Sequence, residues 1–186
     1  MHESCAKSGK NLTLEMSGND PGIVCEDVDI KKVAAQVAAG SLFNGGQMCV
    51  CTKRIYVHES IYDDFLKELV TIVEAGFRIN KDPTAPTLFG PLSNRMQYEI
   101  VCAMLEDCKA KGFDIVSGGH IPNDGGYWIA PTIISRPDED SIIVQKEQFG
   151  KSGQLSAWLK LTGCRTTCST AFLVRRGRCD CPCQRE

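Results

Sequence analysis

The 186-residue sequence has no apolar run near the roughly 18 to 20 residues that a membrane-spanning helix requires, so no membrane partner is expected. Its first residues, Met1-His2-Glu3-Ser4-Cys5, lack the basic-then-apolar order of a secretory signal. A cytoplasmic location is therefore the expectation, and the sequon Asn11-Leu12-Thr13 carries little weight. The three histidines, His2, His58 and His120, show neither metal-ligand nor triad spacing, and no metal is expected. No glycine-rich phosphate loop follows a strand, and no internal repeat is visible. The net charge of −2 gives no argument for a nucleic-acid partner.

Cysteine, by contrast, is plentiful. Eleven is an odd number, and the chain is long for a disulfide scaffold. Six of the cysteines lie in residues 1–150, scattered on apolar faces as reduced thiols usually are. Charge is unevenly divided. Residues 151–186 hold seven Lys and Arg against two Asp and Glu, about +5, which leaves about −7 for residues 1–150. Such a shift marks a boundary.

Before that boundary, helical and extended patterns alternate. Residues 2–9 read as the end of a helix, Leu12 to Leu14 as a short strand, and Gly22 to Cys25 as a second. Asp29 to Leu42 carries Ile30, Val33, Val37 and Leu42 at helical spacing. Lys53 to His58 reads as a strand, and Ser60 as the N-cap of a helix with Ile61, Phe65, Leu69, Ile72 and Val73 on one face. A Pro/Gly-rich connection over 78–92 leads to a helix from Ser93 to Lys111, stopped by Gly112. Asp114 to Val116, Tyr127 to Ile134 and Ser141 to Val144 are expected strands. The alternation points to a three-layer α/β domain. After Gly150 only Ala171 to Val174 is an apolar run, and an irregular, basic, Cys-rich tail is expected.

One stretch carries chemistry. Asn44-Gly45-Gly46-Gln47-Met48-Cys49 places a thiol just after two glycines, which let the backbone turn tightly and approach a ligand. Such a thiol is a candidate nucleophile; taken alone, a cysteine reads first as a small buried residue. Glu15, 34 positions earlier on another glycine-containing turn, is a carboxylate that could serve as a base.

The order of these motifs carries a resemblance. Leu12-Thr13-Leu14-Glu15-Met16-Ser17-Gly18-Asn19-Asp20-Pro21 resembles the glutamate signature of the aldehyde dehydrogenase superfamily. Phe43 to Cys49, with Arg54 five residues on, resembles its cysteine signature, and Glu147-Gln148-Phe149-Gly150 its Glu-x-Phe-Gly turn. Gly90-Pro91-Leu92 and Ala130-Pro131-Thr132 match lesser landmarks. The resemblance implies the catalytic-domain fold over residues 15–150, with residues 1–14 a remnant of the cofactor-binding domain and residues 151–186 unrelated. It implies Cys49 as the nucleophile toward a small-molecule aldehyde and Glu15 as the base that activates the hydrolytic water. It implies NAD or NADP as cofactor, with Glu147 on the nicotinamide ribose and Phe149 beside the ring.

Most of the family's dinucleotide-binding domain has no counterpart in this sequence, nor do the strands through which the family forms homo-oligomers. Lys151 stands where the family usually has proline. The isolated chain is therefore expected to be inactive as a dehydrogenase. The alternative is a non-catalytic chain that associates with full-length family members. Cys51 reads as a small residue filling a tight site, or as a partner protecting Cys49 from over-oxidation. Cys179-Asp180-Cys181-Pro182-Cys183 departs from the Cys-x-x-Cys spacing of zinc sites.

Overall fold

The computed structural model describes residues 1–16, 18–80, 84, 89–123 and 125–150, and two strands beyond them. The elements, in chain order, are α1 (His2–Lys7), β1 (Asp20–Val24), α2 (Ile30–Leu42), β2 (Thr52–Val57), α3 (Tyr62–Gly76), α4 (Arg95–Ala110), β3 (Asp114–Ser117), β4 (Ile133–Ser135), α5 (Ile142–Gln145), β5 (Leu155–Trp158) and β6 (Phe172–Val174). The strands form one sheet in the order β3-β4-β5-β2-β1-β6. β3 runs antiparallel to β4, and every other pairing is parallel. Parallel neighbours need crossover connections, and α2 supplies the one between β1 and β2.

The sheet is covered on both faces. Consecutive side chains on a strand point to opposite faces, and on β4 Ile133 joins one apolar cluster while Ile134 joins another. The first cluster packs α2 and α3 against β1 and β2 through Val33, Val37, Phe65 and Leu69. The second packs Met104 and Cys108 of α4 with Ile143 and Val144 of α5. A third, smaller cluster closes around Leu92, Val101, Leu105 and Ile129. This is a three-layer α/β arrangement, as the alternating patterns imply.

Helix ends follow local chemistry. Asp29 caps α2 by accepting from the Lys32 amide at 3.2 Å, and Asn94 caps α4 by accepting from the Gln97 amide at 2.9 Å. Gly112, at φ +70°, ends α4 in the left-handed region that glycine favours.

Four expectations are corrected. Leu12 to Leu14 forms no strand. A β-prone run is held in a ladder by packing, and Leu14 here is half exposed. Ser60 does not cap α3. It lies inside a 3-10 turn (Glu59–Ile61) that His58 Nδ1 caps by accepting from the Ser60 amide at 3.3 Å. Of the run from Tyr127 to Ile134, Ile133 and Ile134 enter the ladder, as the start of β4. Ser141 to Val144 is the start of α5, because the Ser141 carbonyl accepts from the amides of both Val144 and Gln145. A four-residue apolar run is too short for periodicity to separate helix from strand.

Beyond Gly150, Leu155–Trp158 pairs with both β4 and β2, and Phe172–Val174 pairs with β1. Composition gives no sign of the first of these strands, since a backbone ladder is open to any stretch without proline. The Cys179 to Cys183 motif lies outside the described residues.

Candidate active site

α2 ends at Leu42, and the chain turns sharply before β2. Asn44, Gly45 and Gly46 have φ of 51°, 65° and 73°, three left-handed residues in succession. Asn is the non-glycine residue that tolerates this region best. The turn is stitched by its own amides. Asn44 Nδ2 donates to the Gln47 carbonyl at 3.4 Å, and Gln47 Nε2 donates to the Asn44 carbonyl at 3.3 Å. Gln47 Oε1 also accepts the Ser93 amide at 2.9 Å, which ties the turn to the approach of α4. Cys49 follows on the solvent side, exposed. Cys51 is buried, its thiol directed at the Phe43 carbonyl at 3.8 Å. Burial pushes the Cys51 thiol upward, partly offset by the charge of Lys53.

The segment that carries Glu15 reaches this turn through Gly18. A Cβ built on Gly18 would fall 2.0 Å from the Cys49 carbonyl oxygen, so only glycine permits the two backbones to meet. The neighbouring Asn19 is held twice: its Nδ2 donates to the Val144 carbonyl at 2.8 Å, and its carbonyl accepts from Arg54 Nε at 2.9 Å. Glu15 itself is exposed.

The third motif closes the arrangement. Glu147 Oε1 accepts the Gly18 amide at 2.8 Å. Gln148 is fully buried and donates through Nε2 to the carbonyls of Ile143 and Lys146, while its own carbonyl accepts from Gln97 Nε2 at 2.6 Å. Phe149, at φ 34°, turns its ring partly into solvent. Gly46 lies against the Gly150 carbonyl, where a Cβ would stand 2.4 Å away. The turn of Cys49, the loop following Glu15 and the turn of Glu147 to Gly150 therefore meet at one place.

A family model described as the aldehyde dehydrogenase family matches residues 1–151. The chain belongs to the aldehyde dehydrogenase family. Among its curated relatives, aldehyde dehydrogenase 1 of Tanacetum cinerariifolium is 37% identical over 153 residues, 81% of this chain and 30% of the relative. A mitochondrial aldehyde dehydrogenase of Leishmania tarentolae is 38% identical over 141 residues, 76% of this chain and 28% of that one. The chain thus spans less than a third of the length of these aldehyde dehydrogenases. Among solved structures, succinate-semialdehyde dehydrogenase from Burkholderia pseudomallei superposes with a TM-score of 0.78 at 30% identity, covering 86% of this chain and 32% of that one. An aldehyde dehydrogenase from Bacillus cereus, solved with NAD+, superposes with a TM-score of 0.77 at 28% identity, over 86% of this chain and 32% of its own. The fold is that of an aldehyde dehydrogenase catalytic domain.

The sequence reading of this aldehyde dehydrogenase segment passed over Lys53. Its side chain is 1% exposed, and Nζ donates to the Gly46 carbonyl at 2.6 Å. Burial pushes its ammonium below the ordinary lysine range, opposed by the charges of Cys51 and then Glu147. A signal was present: on β2 the inward positions are Lys53, Ile55 and Val57, so a lysine occupies an apolar slot of a period-2 pattern.

Proposed function

We propose that residues 15–150 form the core of a catalytic domain that oxidises an aldehyde to a carboxylic acid, with Cys49 as nucleophile and Glu15 as general base. The observation that carries this reading is the seat of Gly18 on the Cys49 carbonyl, which brings the loop following Glu15 to the backbone of Cys49. The Cys49 sulfur adds as thiolate to the aldehyde carbon, giving a thiohemiacetal. Loss of hydride leaves a thioester on Cys49. Water, deprotonated by Glu15, attacks the thioester carbon, and the carboxylic acid leaves as the thiolate is regenerated. In this reading the Cys49 amide donates to the oxyanion, where one rigid donor is commonly worth a hundred- to thousand-fold in rate.

Bound beside Cys49, NAD or NADP would supply the hydride acceptor. The described residues offer it one carboxylate, Glu147, and one partly exposed ring, Phe149, which fit the ribose and nicotinamide end. They include no glycine-rich turn at a helix N-terminus for its phosphates. For these 186 residues taken alone we therefore expect hydrolysis of activated esters without dehydrogenase turnover. Purified chain with p-nitrophenyl acetate should release nitrophenol, and Cys49→Ala should remove that release. Hydrolysis that survives Cys49→Ala overturns the nucleophile assignment. Steady NADH production by the unmodified chain overturns the expected inactivity.

A second reading is a non-catalytic chain that associates with full-length aldehyde dehydrogenases. The observation favouring it is the exposed apolar surface of Met16 (82%), Val50 (61%) and Phe43 (50%) on and beside the cysteine and glutamate motifs. Co-purification of the tagged chain with a full-length relative would support it; elution of the chain alone would dismiss it.

A further inference from the structure

We propose that Lys53 is a positioning residue: with Glu147 it clasps the cysteine turn, the loop following Glu15 and the Glu147-to-Gly150 turn into one arrangement. The inference deepens the catalytic reading, and rests on it only for the consequence at Cys49.

The geometry is a chain of short contacts through buried ground. Lys53 Nζ donates to the Gly46 carbonyl at 2.6 Å, and Gly46 in turn lies against the Gly150 carbonyl. A Cβ on Gly46 would stand 2.7 Å from Nζ and 2.4 Å from that oxygen, so three groups converge on one small space. On the far side, Glu147 Oε1 holds the Gly18 amide at 2.8 Å, and Gly18 rests on the Cys49 carbonyl. The titratable groups that act on the Lys53 ammonium are the Cys51 thiol, which burial keeps neutral, and the Glu147 carboxylate, which makes no ion-pair contact with it. An ammonium wholly out of water costs several kcal/mol unless opposite charge and hydrogen bonds compensate it. The Gly46 carbonyl supplies the hydrogen bond and Glu147 a longer-range attraction, while each of the two residues fastens a different turn, Lys53 that of Gly46 and Glu147 that of Gly18. An apolar residue in the Lys53 slot, like Ile55 and Val57 beyond it, would fill the core equally well; it would leave the Gly46 carbonyl without its donor and so loosen the seat of Gly46 on Gly150.

The test reads the clasp at Gly18, which carries the Glu147 contact and has no bond to Lys53. Amide exchange at Gly18 is measured by NMR on the full chain, with and without Lys53→Met, Glu147→Ala and the pair. Glu147→Ala should accelerate exchange at least tenfold, and Lys53→Met at least fivefold. The double variant should exceed the larger single effect by no more than twofold. Lys53→Arg, which keeps the charge, should return exchange to within threefold of the unsubstituted chain. Gly18 exchange unmoved by Lys53→Met, additive effects of the two substitutions, or no rescue by Lys53→Arg would each overturn the proposal. Should Lys53→Met not fold, Lys53→Gln carries the same expectation, and loss of folding in both overturns it too, since that assigns Lys53 to the core. Ester hydrolysis by Cys49 should fall in parallel with Gly18 protection. If exchange responds while no variant, nor the unsubstituted chain, hydrolyses ester, the catalytic reading fails and the clasp stands.

Discussion

Gly18 bears the closest approach in the site, and a single methyl group tests it. Gly18→Ala places a carbon 2.0 Å from the Cys49 carbonyl oxygen, which no rotamer can relieve because both groups are backbone-fixed. Overpacking of this kind costs about 1–3 kcal/mol. A melting curve should show that loss, and ester hydrolysis should drop at least tenfold because the loop following Glu15 is pushed off the Cys49 backbone. A second residue contributes to the alkaline limit of stability. Cys108, fully buried on α4, has its thiol pushed up to about 11 by burial and by the neighbouring Asp107. A raised thiol favours the neutral form in the fold, so its contribution is whole below about pH 9 and is lost as pH rises toward 11. The loss amounts to roughly 2–3 kcal/mol. Urea midpoints measured from pH 8 to 11 should fall along this window, and Cys108→Val should flatten the fall. At this scale the motifs that carry the candidates Cys49, Glu15 and Glu147 were legible because each is local in sequence. Lys53 was not, because its meaning depends on Gly46 and Glu147, which the strand pattern around it does not contain.

At the scale of elements, α2 and α4 follow from apolar spacing and an Asx cap, both printed within a few residues of chain. The failures have the opposite character. Leu12 to Leu14 has strand propensity without a neighbour to pair with, and α5 is a single turn, too short to show a period, with Ile143 and Val144 both buried. The caps are also where an element touches the site. Asn94→Ala should cost about 1 kcal/mol, read as a lower urea midpoint with an unchanged slope. The preceding Ser93 amide is held by Gln47, so fraying of α4 should also raise amide exchange over residues 43–47. Fraying confined to α4 would show that the Gln47 contact does not couple the two.

At the scale of the molecule, β5 is the strand that joins the β3–β4 pair to β2, β1 and β6. Deleting residues 151–186 removes that middle strand, although the family match ends at residue 151. The shortened chain should lose cooperative unfolding and bind a hydrophobic dye, as separated sheet halves expose their edges. A sharp transition equal to that of the full chain would show that β5 is dispensable. This dependence was invisible in the sequence, where the same stretch announces itself only by charge and cysteine. The order of the strands also has a consequence in time. β2 finds its first partner, β1, among residues already synthesised, but its second neighbour arrives about a hundred residues later, with β5. The acceptor for the Gly18 amide, on Glu147, arrives almost as late. On the ribosome, then, the cysteine turn and its strand edge wait unpaired while about a hundred further residues are made, until the last turn docks.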